Sequence, residues 1–113
     1  WLIESRGRSS HHLFTIHATP GDRDHLLAKL GAAGIGTAVN YRAIHGLSYL
    51  VELLGIPQGA LPVAEEIGER TLSLPMHPQL SGPEQDRVVQ AVAEAWAEIA
   101  AGRRRSGAPS AVA

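Results

Sequence analysis

Cysteine is absent from this 113-residue chain, which removes disulfides, thiol nucleophiles and thiolate metal sites together. Lysine occurs once, at Lys29, so any chemistry that needs a side-chain amine has one residue to draw on. Neither sign of charge dominates. Ten basic side chains face eleven acidic ones, a formal net charge of -1, and such a balance creates no field that would gather nucleic acid or an anionic membrane. No apolar run reaches the length of a membrane span, and no basic-then-apolar leader is seen. A soluble protein in a cytoplasmic setting is expected.

What is present is an ordinary globular balance, 44% hydrophobic and 19% charged. A chain of this size buries roughly two-thirds of its unfolded surface, enough for one core. The opening Trp1-Leu2-Ile3-Glu4 carries no turn or cap signal, which reads as the interior of a longer polypeptide. Residues 10–18 alternate, with Phe14, Ile16 and Ala18 on one face, and predict a strand. Thr19-Pro20-Gly21-Asp22 supplies an N-cap and a first-turn proline for a helix over residues 20–33. Its stripe is Leu26, Leu27, Leu30 and Ala33, and Gly34 with Ile35 supplies the stop.

A second strand is expected over residues 35–41, its direction open. Residues 42–61 read as an irregular excursion with one helical turn near 50–54. Pro62 starts a short helix through Arg70, and residues 71–74, ended by Pro75, make a third strand. Ser81-Gly82-Pro83-Glu84 is a capping box opening the longest helix. That helix carries Val88, Val89, Val92, Trp96 and Ile99 on one face, with its stop at Gly102. The expected organisation is the end of a linker over residues 1–10, one domain over 11–101 and a disordered tail over 102–113. The fold class is α+β, a short three-stranded sheet with helices packed on one face.

The six histidines do not read as a metal site. His11 and His17 share a strand face but lie roughly 20 Å apart at a strand's rise, while His11 and His12 point to opposite faces. The glycines at 31, 34 and 36 end a helix and precede a strand, the reverse of a phosphate-binding loop. Lys29 sits off the apolar stripe of its helix, where it is solvated rather than desolvated as a Schiff-base lysine must be. Ser48 and His45 are close in sequence, without a strained elbow or an orienting carboxylate for hydrolysis. The stretch Asn40-Tyr41-Arg42-Ala43-Ile44-His45 is different, a polar cluster leaving a strand into a long loop, where sites are hung on rigid scaffolds. Against that stands a plainer possibility, that Tyr41 packs and His45 caps a turn.

The order of several short pieces resembles the DegT/StrS-type sugar aminotransferases, which use pyridoxal phosphate. The pieces are His12-Leu13-Phe14; Arg23-Asp24 with Leu26 and Leu30 ahead of Gly34-Ile35-Gly36-Thr37; Tyr41 with His45; and Pro62-Val63-Ala64-Glu65. Leu72-Ser73-Leu74-Pro75-Met76-His77-Pro78 follows, then Leu80-Ser81 opening a helix with Val88 and Val92. The chain departs from the family's pattern around Tyr41, with Asn40 before it and Arg42-Ala43 after it. The resemblance implies the C-terminal small domain of a fold-type I aminotransferase that transfers an amino group from an amino-acid donor to a nucleotide-linked keto sugar.

It also implies that pyridoxal phosphate binds in an N-terminal large domain outside this chain, that no catalytic residue lies here, and that the full enzyme is a homodimer. On the same resemblance Tyr41, Arg42 and His45 face the sugar nucleotide. The alternative from the residues alone is a stand-alone ferredoxin-like module for small-molecule binding or regulation.

Overall fold

Proline and glycine punctuate the chain, and its elements form between them. In the computed structural model, which describes residue 8 and residues 10–107, the order begins with β1 (Phe14–His17), α1 (Arg23–Ala32) and a 3-10 turn at Ile44–Gly46. It continues with α2 (Ser48–Leu54), α3 (Pro62–Arg70), β2 (Thr71–Leu74) and α4 (Gly82–Ser106). The expected α+β class holds. Most of the expected linker, Trp1 included, and the expected tail from 108 onward lie outside the described residues.

β1 and β2 pair antiparallel, Phe14 opposite Leu74 and His17 opposite Thr71. Among the described residues these two strands are the whole sheet, which corrects the expected three. The stretch 35–41 joins β2 at one point only, an antiparallel bridge between Ala38 and Ser73. Beyond it, the Asn40 carbonyl accepts from the Thr71 hydroxyl at 3.3 Å rather than from a ladder amide. β-branched residues there favour extended backbone, but a strand also needs a partner in register. The same limit trims the strand expected over residues 10–18, because β2 offers four residues to pair with.

The core lies between this sheet and two helices. Ala18, Leu26, Leu30, Ile35, Leu72 and Ala95 are buried, with Ile16, Leu74, Val88, Val92, Trp96 and Ile99 packed against them. α1 and α4 therefore share one face of the sheet, and Trp96 lies where the α4 stripe predicts. Val89 is 68% exposed: one residue is about 100° round a helix, and Val88 already faces the core.

α1 begins later than the sequence suggests. A turn closed by Asp22 N–H on the Thr19 carbonyl, 3.0 Å, occupies the residues expected to cap, and Asp22 becomes the N-cap. Its end is as expected. Gly34 takes a φ of +74°, Gly34 N–H donates to Gly31 at 3.0 Å and Ile35 N–H to Leu30 at 2.9 Å, the two bonds of a Schellman stop.

α4 opens on Ser81, whose N–H and hydroxyl both donate to Glu84, at 2.8 and 2.6 Å. It runs through Gly102, correcting the expected stop, and closes at Gly107. The added turn has an anchor, since Arg103 reaches back to the Asp22 carboxylate at 2.7 Å and the Pro20 carbonyl at 3.1 Å. Lys29 and Glu98 form a second tie between α1 and α4. Among the described residues no helix is long and apolar enough to cross a membrane.

Candidate ligand-binding site

Pro62 presets the first turn of α3, where its missing N–H costs nothing. Three residues on, Glu65 sits in that first turn, where the helix's unpaired amides favour a negative charge. Its carboxylate gathers three segments of chain. His45 Nε2 lies 2.7 Å from Oε1, and the Gly59 amide donates to Oε1 at 2.8 Å and to Oε2 at 3.0 Å. The hydrogen bond from His45, with help from the Gly59 and Leu61 amides, holds the Glu65 carboxyl below the ordinary glutamate range, and partial burial opposes this.

These contacts form one wall of a pocket of about 440 Å³ between the 3-10 turn, α3 and the start of α1. His45 is 6% exposed and lines it. Arg23 lines it from α1, buried, its Nη1 donating to the Gly68 carbonyl at 2.8 Å and its Nε to Asp24 at 2.9 Å. That neighbouring guanidinium holds the Asp24 carboxyl below its usual range. α3 also touches the loop directly: a Cβ on Gly68 would stand 2.5 Å from the Ala43 nitrogen and 3.2 Å from the Arg42 carbonyl carbon.

Of the three expected site residues, Arg42 and His45 share this pocket. Tyr41 is 68% exposed and lines a separate, apolar hollow with Val39, Ile44 and Leu47, which Arg42 also borders. The His45 ring is anchored to Glu65 and borders the pocket.

Sequence reasoning gave Glu65 and Arg23 no role. Both had a signal: Glu65 is an acid three residues after a helix-starting proline, and Arg23 continues the α1 stripe of Leu26 and Leu30 at core spacing. A charge at a core position needs partners, and Asp24 and Gly68 supply them.

The chain's only lysine is elsewhere. Lys29 is paired with Glu98 at the α1–α4 junction, its side chain 38% exposed, and it does not border the pocket. An exposed, ion-paired ammonium does not fit the desolvated amine that a pyridoxal Schiff base requires. Among the described residues no group of three or more His, Asp or Glu is placed to hold a metal.

The Glu65 clasp has a pH signature. A carboxyl with a lowered pKa in the folded state contributes stability that is full above its unfolded value of about 4.5 and is lost as pH falls through the folded value. The Gly59 amide proton, bonded to that carboxylate, is expected to report the change by NMR with an inflection below 4.5. An inflection at or above that pH would show the clasp absent in solution.

By fold and site the chain is an α+β domain whose pocket joins two arginines to a carboxylate-anchored histidine, without a lysine to carry a cofactor. Residues 3–93 match the DegT/DnrJ/EryC1/StrS aminotransferase family, and the chain belongs to that family. It is 41% identical over 87 residues to the dTDP-3-amino-3,4,6-trideoxy-alpha-D-glucose transaminase of Streptomyces venezuelae, covering 77% of this chain and 22% of that one. It is 40% identical over 81 residues to the erythromycin biosynthesis sensory transduction protein EryC1 of Saccharopolyspora erythraea, covering 72% and 22%.

Among solved structures, the aminotransferase TlmJ from Streptoalloteichus hindustanus aligns with a TM-score of 0.71 at 28% identity, over 82% of this chain and 24% of that one. A DegT DnrJ EryC1 StrS aminotransferase from Brucella abortus aligns with a TM-score of 0.59 at 32% identity, over 73% and 21%. The chain thus spans under a quarter of the length of these relatives.

Proposed function

We propose that this chain is the C-terminal small domain, over residues 11–101, of a pyridoxal-phosphate-dependent aminotransferase that moves an amino group from an amino-acid donor to a nucleotide-linked keto sugar. The observation that carries this reading is the pairing of a carboxylate-anchored histidine and Arg42 on one pocket in a chain 41% identical to part of a sugar-nucleotide transaminase. The cofactor, an electron sink when bound, belongs to a large domain outside this chain, which agrees with Lys29 being tied to Glu98.

In this reading the domain covers one wall of the acceptor site, with Arg42 and His45 facing the sugar nucleotide from the pocket and Tyr41 from the neighbouring hollow. Arg42 is exposed at the pocket rim and its planar fork suits a phosphate. Tyr41 offers a ring and a hydroxyl beside it. Such groups set orientation and selectivity rather than reaction type. The exposed apolar side chains Tyr41, Ile44, Tyr49 and Leu53 fall within one stretch of chain, residues 41–53, and grouped exposed apolar side chains mark surfaces that a partner covers. They support a working state in which the large domain, or the second subunit of a homodimer, covers them.

The test uses the full-length enzyme. Tyr41→Phe and His45→Ala are expected to weaken acceptor use roughly two- to tenfold, the size of one lost hydrogen bond of about 0.5–1.5 kcal/mol. The half-reaction with the amino donor should change little, and stopped-flow spectra separate the two halves. Equal damage to both, or none to either, would mean that this loop only supports the fold. A chain that binds a small molecule tightly with no larger enzyme around it would favour the stand-alone module instead.

A further inference from the structure

We infer that Glu65 is a positioning residue that holds His45 as the Nε2–H tautomer, so that Nδ1 meets the ligand as a hydrogen-bond acceptor and selects a hydroxyl rather than a phosphate oxygen. The inference rests on the acceptor-site reading above, and its core is testable without that reading.

An ionised carboxylate can only accept hydrogen bonds. Glu65 accepts from the Gly59 amide on both oxygens, so the proton in the 2.7 Å contact with His45 lies on Nε2. A neutral imidazole protonated there carries its lone pair on Nδ1. Among the described residues Nδ1 has no hydrogen-bond partner, and it is not sealed away, since the one buried unpartnered side-chain atom is Ser73 Oγ. His45 lines the pocket, and on this inference the unpaired lone pair serves a ligand bound there.

A phosphate oxygen would meet that lone pair with its own, whereas a hydroxyl can donate to it. The anionic end of a ligand is then left to Arg42 at the rim, and its hydroxylated end to His45. One carboxylate thereby fixes which way round a sugar nucleotide lies. A carboxylate that merely ties the loop down would need no particular tautomer, and that difference can be measured.

The 113-residue chain, labelled with 15N in its histidine rings, gives the tautomer from long-range proton–nitrogen spectra at pH 8. The expected His45 pattern is a protonated Nε2 and an unprotonated Nδ1. A proton on Nδ1, or on both nitrogens, overturns the proposal. In Glu65→Gln the amide can turn its NH2 to the ring and its oxygen to Gly59, so the population should move toward Nδ1–H. In Glu65→Ala the constraint is removed altogether. Should the alanine variant fail to fold, as its Trp96 indole signal would report, the glutamine variant carries the test, and an unchanged ring in the folded variants overturns it.

In the full-length enzyme, Glu65→Gln should raise KM for the nucleotide-linked acceptor about three- to tenfold, the range of one misplaced hydrogen bond, with a smaller change in kcat. An unchanged KM overturns the ligand half of the inference. An enzyme that uses no nucleotide-linked sugar would remove the functional reading while the ring measurement still stood.

Discussion

Leu72→Ala is expected to lower stability by about 2–5 kcal/mol, the range for emptying a fully buried leucine site. Leu72 is 0% exposed at the middle of β2, on the sheet face covered by α1 and α4. The site has little freedom to collapse, because Ile16 opposite it and Ser73 beside it are fixed by the β1 ladder and the Ala38 bridge. A small domain has about 5–15 kcal/mol in total, so one substitution removes a large share. With a urea slope of about 1–3 kcal/mol per molar, the unfolding midpoint should fall by roughly 0.7–5 M. A change of a few tenths of a molar would show that this core is not the one that forms in solution.

Gly68→Ala is expected to act on the site through the backbone. The added methyl carbon would fall 2.5 Å from the Ala43 nitrogen, closer than atoms pack, and what it meets is main chain rather than a flexible side-chain end. α3 and the loop must part, and overpacking of this kind costs about 1–3 kcal/mol. The displaced segment holds Arg42 and leads into His45, so the His45–Glu65 bond and the Arg23–Gly68 bond are both disturbed. Acceptor use should fall by more than in Tyr41→Phe, with a loss of thermal stability that Tyr41→Phe does not show. Wild-type behaviour in both would mean the loop does not rest on α3.

The parts of this fold that were legible in the sequence are those decided locally. Pro62 and Pro75 bracket α3 and β2, and both elements match their expected bounds because proline admits few alternatives. Gly34 and the Ser81–Glu84 box act within one turn of chain and were equally readable. What the sequence could not give depends on distant partners. Residues 35–41 have strand composition yet pair only at Ala38, and α4 passes Gly102 because Arg103 finds Asp22 across the molecule.

The site divides in the same way. Arg42 and His45, singled out from a polar exit after an extended segment, line one pocket, whereas Tyr41 lines a separate hollow. Glu65 carried only the local signal of an acid after a helix-starting proline, and its bond to His45 forms when a loop 20 positions away folds onto it.

The ties that close this molecule are far apart in the chain, and that has a cost in time. Lys29 meets Glu98 across 69 positions and Arg103 meets Pro20 across 83. Such non-local pairing requires loop closure before it is rewarded, which slows folding relative to a helical bundle of similar size. On the ribosome the delay is longer. At about 5–20 residues per second, α1 emerges roughly 3–14 s before the part of α4 that covers it. For that interval Leu26 and Leu30 have no partner helix, and the stripe that ends up buried in the core stays exposed on the half-made chain, as apolar surface on a folding intermediate does.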